Sequence, residues 1–300
     1  MAATASPAAP ADSAAVIVIR ESAAAGCEVL LVERHADSRA FAGAHVFPGG
    51  RVDAADTAAA LQTSCIDLTP DAARARLGET LPAPRALAFW IAALRELFEE
   101  TGILLASVNG VPVRFADPAV HARFRAHRAS LLRGESTFAD VVQREGLRLT
   151  TDRLEYFSRW ITPVNAPRRY DARFFVARLP AGQAPQHDAR ETTAAEWFAP
   201  SAALERAHAG TLTLTPPTMR TLEDLQLLGT CDAIFTAARA RPVAAILPKI
   251  VELGGRTTIL YPGDAAYENA TPGAAVDDAL AGARNRLVLD GGAWRTVRSQ

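Results

Sequence analysis

The chain has no excess of positive charge: 32 Lys and Arg stand against 33 Asp and Glu, for a formal net charge of −1. A protein that grips nucleic acid through its phosphates needs the opposite balance, so neither DNA nor RNA is expected as a partner. Cysteine is scarce, with three in 300 residues. Cys27, Cys65 and Cys231 form no CxxC or Cys/His cluster, which excludes a structural zinc module of the usual spacing. An odd number of scattered thiols suits a reducing compartment, with each thiol acting as a small buried hydrophobe. No apolar run is long enough to span a bilayer. Met1 to Ala15 is rich in Ala, Pro and Ser and lacks a basic start, an apolar stretch and arginine, so it reads as neither a secretory nor a transit signal. Val297-Arg298-Ser299-Gln300 is no peroxisomal address. These absences lead to the expectation of a cytoplasmic protein with no membrane partner.

What is present suits an ordinary globular core, with 49 % hydrophobic and 22 % charged residues. Ala15 to Ile19 and Glu28 to Val32 are β-branched apolar runs, and Ser22 to Gly26 between them suits a hairpin loop. Phe47-Pro48-Gly49-Gly50 reads as a turn, since paired glycines permit unusual backbone angles. A helix is expected from Thr69-Pro70-Asp71, a stronger one over Arg85 to Thr101 stopped by Gly102, and two more over Pro118–Leu132 and Thr137–Glu145. Strands are read at Arg153 to Thr162, Arg173 to Leu179 and Ala195 to Phe198, and helices at Ala202 to Ala209 and Pro217 to Leu228. Beyond Arg241 short strands alternate with turns such as Pro262-Gly263-Asp264. Irregular alternation of strands and helices gives an α/β or α+β class with a mixed sheet.

The helix over Arg85 to Thr101 breaks local rules. Leu87, Trp90, Ile91, Leu94, Leu97 and Phe98 make a core face, with Glu96, Glu99 and Glu100 on the opposite side. Like charges at i, i+3 and i, i+4 cost roughly 0.2–0.5 kcal/mol per pair. Acids in a last helical turn also meet the negative end of the helix dipole, at about 0.3–1 kcal/mol each. Rules failing together point to a functional site. A divalent cation reverses both penalties, and compact carboxylates suit Mg²⁺ or Mn²⁺. The alternative is a solvated acidic face with Arg95 as a surface partner.

Arg95-Glu96-Leu97-Phe98-Glu99-Glu100-Thr101-Gly102-Ile103 resembles the second half of the Nudix box, G-x5-E-x7-R-E-U-x-E-E-x-G-U, at every fixed position. Gly50 resembles its opening glycine, but Asp56 follows where the box has glutamate, and residues 57–94 stand where it has seven. A box split in this way is similar to the Nudix branch that includes the peroxisomal coenzyme A diphosphatase. Phe47 to Asp53, Trp160 to Pro163, Arg173 to Phe175, Glu191 to Trp197 and Pro216 to Thr218 resemble that branch as well. The arginine-rich motif of better-known coenzyme A diphosphatases is only loosely echoed by Arg34-His35-Ala36-Asp37-Ser38-Arg39.

The resemblance implies a Nudix fold, a mixed β-sheet sandwiched between α-helices with a helical insertion inside the box. Residues 1–13 are then a disordered tail and 14–240 the Nudix domain, with insertions at 57–84 and 115–146. Residues 241–300 form a C-terminal extension packed on that domain. It implies a hydrolase of diphosphate linkages in nucleoside diphosphate derivatives. Coenzyme A or acyl-CoA is the first candidate substrate; ADP-ribose, an NDP-sugar or a dinucleotide is a second, and a non-catalytic nucleotide sensor a third. It also implies roles. Glu99 and Glu100 are metal ligands, Glu96 is a ligand or the base, Arg95 orients a carboxylate, and Gly50 offers its carbonyl to Mg²⁺ or Mn²⁺. Asp56 is a candidate replacement for the first box glutamate, and Glu191 and Glu196 are candidate later acids. Arg34, Arg39 and Arg173, with Arg168 and Arg169 behind them, are candidate phosphate contacts. Trp160, Tyr170 and Trp197 could stack on a base or fill the core. The expected partners are a small-molecule nucleotide substrate and, as a candidate, a second copy of the chain in a homodimer.

Overall fold

Val16, Ile17, Val18 and Ile19 are all fully buried, and this β-branched run forms the middle of β1 (Ala11–Ser22). Strand side chains alternate between faces. Val16 and Val18 therefore enter one hydrophobic cluster while Ile17 and Ile19 enter another. The computed structural model describes residues 8–35, 42–187, 192–240, 242–276 and 282–299.

After β1 come β2 (Gly26–Arg34), β3 (His45–Val46) and β4 (Gly49–Arg51), then α1 (Ala59–Ser64), α2 (Pro70–Leu77) and α3 (Ala83–Thr101). A small three-stranded sheet of β5 (Ala106–Val108), β6 (Val111–Pro112) and β7 (Arg148–Leu149) surrounds α4 (Pro118–Leu132) and α5 (Phe138–Arg144) in sequence. β8 (Glu155–Ile161), β9 (Tyr170–Arg178) and β10 (Thr192–Phe198) return to the main sheet, followed by α6 (Pro200–His208), α7 (Pro216–Leu228) and α8 (Cys231–Ala240). The chain ends in β11 (Ala245–Ile246), β12 (Lys249–Leu253), β13 (Arg256–Leu260), β14 (Ala275–Val276), β15 (Asn285–Asp290) and β16 (Ala293–Arg298).

The main sheet runs β10-β2-β1-β9-β8-β11, with β3 on β2 and β4 on β1. β1 pairs parallel with β9 and β8 with β11, and the other pairings are antiparallel, so the sheet is mixed. α3 contributes more of the core on one face than any other element, while α6, α7 and α8 cover the other. This is the helix–sheet–helix layering read from the sequence. Among the described residues no helix is long and apolar enough to cross a membrane.

Three readings need correction, and one element was not read. Ala11 to Ser13, assigned to a tail, extend β1 because Tyr170 to Ala172 of β9 offer them a parallel ladder. Gly49 and Gly50 are strand residues rather than a turn, paired with Ala15 and Ala14. A Cβ on Gly49 would lie 2.4 Å from the Ala14 carbonyl oxygen, so glycine serves close approach here. α3 is buried all round: Ala86, Ala88, Phe89, Ala92 and Ala93 are as enclosed as Leu94 and Leu97. The sheet covers one side of it, and α2, α4 and α5 contribute Leu77, Phe124 and Phe138 to the same cluster. Finally, α8 carries no reading of its own, and the chain beyond it builds a five-stranded sheet, β14-β12-β13-β15-β16. Ile259, Tyr261 and Leu287 from this sheet join the second core.

Candidate active site

α3 ends on Gly102 at φ 72°, the left-handed cap that releases the chain without a Cβ penalty. Just before that cap, Arg95, Glu96, Glu99 and Glu100 look onto β4. With Gly49, Gly50, Arg51 and Asp53 they line one end of a cleft of about 660 Å³.

Arg95 organises this end. Its Nε and Nη2 donate to the two Asp56 carboxylate oxygens at 2.9 and 3.0 Å, and Nη2 also to the Arg51 carbonyl at 2.8 Å. Nη1 donates to Glu96 Oε1 at 2.8 Å and Glu99 Oε2 at 3.1 Å. All five guanidinium N–H groups are thereby used. Burial pulls the Arg95 pKa down, but the Asp56 hydrogen bond and the Glu96, Asp56 and Glu99 charges outweigh it and hold the group above its ordinary value. The guanidinium is a permanent cation.

The glycine pair brings β4 against the other acids. Gly49 N–H donates to Glu100 Oε2 at 2.9 Å, and Glu100 is 3 % exposed. A Cβ on Gly50 would fall 2.5 Å from the Glu96 carboxyl carbon. Arg128 of α4 donates from Nε to the Glu99 carbonyl at 2.8 Å, setting positive charge at the negative end of α3. Two arginines therefore offset part of the cost that the sequence reading left to a metal.

The donor chemistry fits a divalent cation. Asp53, Asp56, Glu96 and Glu99 gather on the Arg95 guanidinium, with Asp53 3.7 Å from Nη2, and Glu100 lies beside them on Gly49 N–H. Hard oxygen donors suit Mg²⁺ or Mn²⁺. The acids do not stand as a closed ligand set, however. Among the described residues no three His, Cys, Asp or Glu converge as a metal-holding group, and Arg95 reaches between Glu96 and Glu99.

The other candidates scatter. Asp56 is fully buried in a single 3-10 turn, with one oxygen also accepting from Asp53 N–H at 2.8 Å, and it faces Arg95 rather than the cleft. It supplies a carboxylate to the arginine from a loop, and is no additional acid in the cleft. Arg34 lines the cleft, and its buried Nε has no hydrogen-bond partner among the described residues. Arg173, ranked as a phosphate contact, is 1 % exposed. It is held by Asp12 at 3.1 Å, by Asp171 at 3.3 Å and by Glu79, with its guanidinium 4.0 Å from the Phe89 ring. Those contacts occupy it inside the protein, so that reading is corrected. Glu196 is exposed on β10 and does not line the cleft, which removes it as the later acid. Arg39 and Glu191 lie outside the described residues.

Trp160 and Tyr170 line the cleft, while Trp197 lies outside it beneath the Arg20 guanidinium. Arg168 and Arg169 are not cleft residues; Arg169 donates to the Thr162 and Ala8 carbonyls. Sequence reasoning missed Asp53, although it belongs to the glycine-pair segment. It also missed Arg128, which no motif marks, and the cleft residues Pro248, Ile250 and Ile259 beyond α8.

The NUDT19 Nudix domain family matches residues 1–225 of the chain. An acyl-coenzyme A diphosphatase NUDT19 from Gallus gallus is 33 % identical over 227 residues, which cover 63 % of this chain and 58 % of that protein. The chain thus spans little more than half of that relative. The protein of the same name from Homo sapiens is 27 % identical over 284 residues, covering 83 % and 74 %. The crystal structure of a NUDIX hydrolase from Alicyclobacillus acidocaldarius shares the fold at a TM-score of 0.61 and 24 % identity, covering 79 % of this chain and 98 % of that one.

Proposed function

The chain belongs to the Nudix hydrolases, in the family of the NUDT19 Nudix domain, and we propose that it cleaves the diphosphate of coenzyme A or an acyl-CoA to 3′,5′-ADP and (acyl-)phosphopantetheine. The observation that carries this reading is the set of carboxylates at the end of α3, facing a cleft and held in part by the Arg95 guanidinium. The chicken and human relatives are acyl-coenzyme A diphosphatases, which supports the choice of substrate.

Hydrolysis forms a bond from a water oxygen to one phosphorus and breaks the bridging P–O bond, so the products are two phosphate monoesters. A bound Mg²⁺ or Mn²⁺ supplies neutralisation of phosphoryl oxygen charge and a more acidic water. Glu99 and Glu100 would hold it, with the Gly50 carbonyl. Glu96 accepts the proton lost by the attacking water. Arg95 positions Glu96 and Glu99 through Nη1, while its Nε and Nη2 are fixed on Asp56 and Arg51. Arg34, on the cleft wall, takes a phosphate oxygen.

The test is turnover of CoA, acyl-CoA, ADP-ribose and NADH with Mg²⁺, Mn²⁺ or a chelator, read as products by mass spectrometry. The reading expects 3′,5′-ADP from CoA or its thioesters, and loss of turnover on chelation. No product from CoA or any thioester sinks it.

A further inference from the structure

Away from the acids the cleft changes character. Its far walls include Trp160 of β8 and Phe174 of β9, together with Pro248, Ile250 and Ile259 from beyond residue 240. The family match stops at residue 225, so these last three belong to a part of the chain outside it. They are nonetheless held firmly against the domain. β11 adds parallel to β8, pairing Ile246 with Trp160. Tyr261 packs edge-on against Trp160, with ring centroids 5.9 Å apart, and the Arg220 guanidinium sits 5.1 Å from the Tyr261 ring. Arg220 also donates to Asn285 Oδ1 at 2.7 Å.

Register sets what this second sheet presents. Ile250 and Ile259 are direct cross-strand partners, so both point to one face. Ile259 lies in the second core and Ile250 packs against it, while Val251, Leu253 and Leu260 of the same two strands pack a separate cluster with Ala266 and Ala270. The buried Tyr261 hydroxyl has no hydrogen-bond partner among the described residues, but Tyr261 does not line the cleft. Trp160, Thr215 and Thr218, which do line it, have their polar groups engaged with one another or with the protein. Trp160 Nε1 donates to Ser158 Oγ at 3.2 Å, and the Thr215 and Thr218 hydroxyls bond each other at 2.8 Å. This limb offers hydrocarbon rather than donors that could read a base edge.

We propose that the C-terminal sheet completes the substrate cleft and receives an apolar acyl tail, with Ile250 and Ile259 as the residues that set tail preference. The proposal rests on the coenzyme A reading above and adds to it where the tail lies and which residues select it. A cleft of about 660 Å³ falls within the usual ligand range, and one continuous cavity holds both the acids and the isoleucine pair.

The experiment measures kcat/KM of the full chain on free CoA, butanoyl-CoA and decanoyl-CoA. Efficiency should rise with tail length, chiefly through KM, by up to about fourfold per buried methylene. Ile250→Asn and Ile259→Asn should each cut the decanoyl-to-free ratio at least fivefold, while Ile250→Leu keeps it. A flat series on the parent chain overturns the proposal without recourse to any variant, as does an equal loss on both substrates. If nothing with a diphosphate is turned over, the coenzyme A reading fails by itself. Calorimetric binding of S-decanoyl pantetheine, which has no diphosphate, then decides this inference. Binding with a negative heat-capacity change, weakened by Ile250→Asn, supports it, and no binding overturns it.

Discussion

Asp56→Asn separates a positioning carboxylate from a cleft acid. Asp56 is fully buried and takes two of the five Arg95 hydrogen bonds, at 2.9 and 3.0 Å. Removing one partner of a buried pair costs about 3–5 kcal/mol, mostly from the charge left behind. Glu96 and Glu99 still face that charge, which places the expected loss at the lower end, about 3 kcal/mol. At about 2 °C or more per kcal/mol for a domain of this size, thermal unfolding should fall by about 6 °C. Activity should fall as well, although Asp56 does not line the cleft. Without its anchor the guanidinium shifts onto Glu96 and Glu99, and more than tenfold in rate should go, about 1.4 kcal/mol of barrier. A double-mutant cycle with Arg95→Gln, followed by calorimetry and by turnover, tests the route. If Asp56 acts through Arg95, the double variant costs much less than the two singles together. Additive losses to within about 0.5 kcal/mol refute the reasoning.

Other parts of the site give separate predictions. Glu99→Gln should lower turnover at least about a hundredfold, 2.7 kcal/mol of barrier, and abolish the rise in melting temperature on adding Mn²⁺; a parental rate would remove Glu99 from the metal-binding role. Gly49→Ala and Gly50→Ala should differ in kind. The first drives a methyl into the Ala14 carbonyl and should lower the melting temperature, whereas the second meets the Glu96 carboxyl group and should spare stability but not turnover. Equal melting temperatures for the two would contradict the geometry. Burial pulls the His45 pKa below its ordinary 6.5, against the Glu33 and Glu196 carboxylates, and its Nδ1 has no partner among the described residues. The unfolded chain therefore binds the extra proton first, and stability present above pH 6.5 is lost as the pH falls through that value towards the folded pKa. His45→Gln should flatten melting temperature against pH from 7 to 5, and an unchanged slope would place the titration elsewhere.

The parts of this protein that were legible in its sequence are those whose information is local. α3 was readable because its apolar period runs for several turns, and its acids because they crowd a helix end where stability disfavours them. Their burial was not readable: a helical wheel puts Glu96, Glu99 and Glu100 opposite the core, but nothing in it says that β4 closes over that side. The glycine pair carries the same letters whether it turns or lets backbones touch, and Ala14 opposite Gly50 decides the matter. Arg173 was open to a better reading. It shares strand parity with Phe175 and Ala177, which belong to the α3-side core, so period two already pointed it inward toward Phe89.

The division extends to function. The acids and the arginine proposed for hydrolysis lie within six residues of one helix, Arg95 to Glu100, and travel together as a motif. The far wall of the cleft needs Trp160, Phe174, Ile250 and Ile259, which come from four strands and meet only through sheet register. No spacing rule links them, so substitution at 250 or 259 leaves the motif untouched. Two chains with the same α3 and different residues at those positions would share the bond they break and differ in the molecule that carries it. If the proposed acyl site holds, tail preference is to be sought in the wall that the segment beyond residue 240 completes with Trp160 and Phe174.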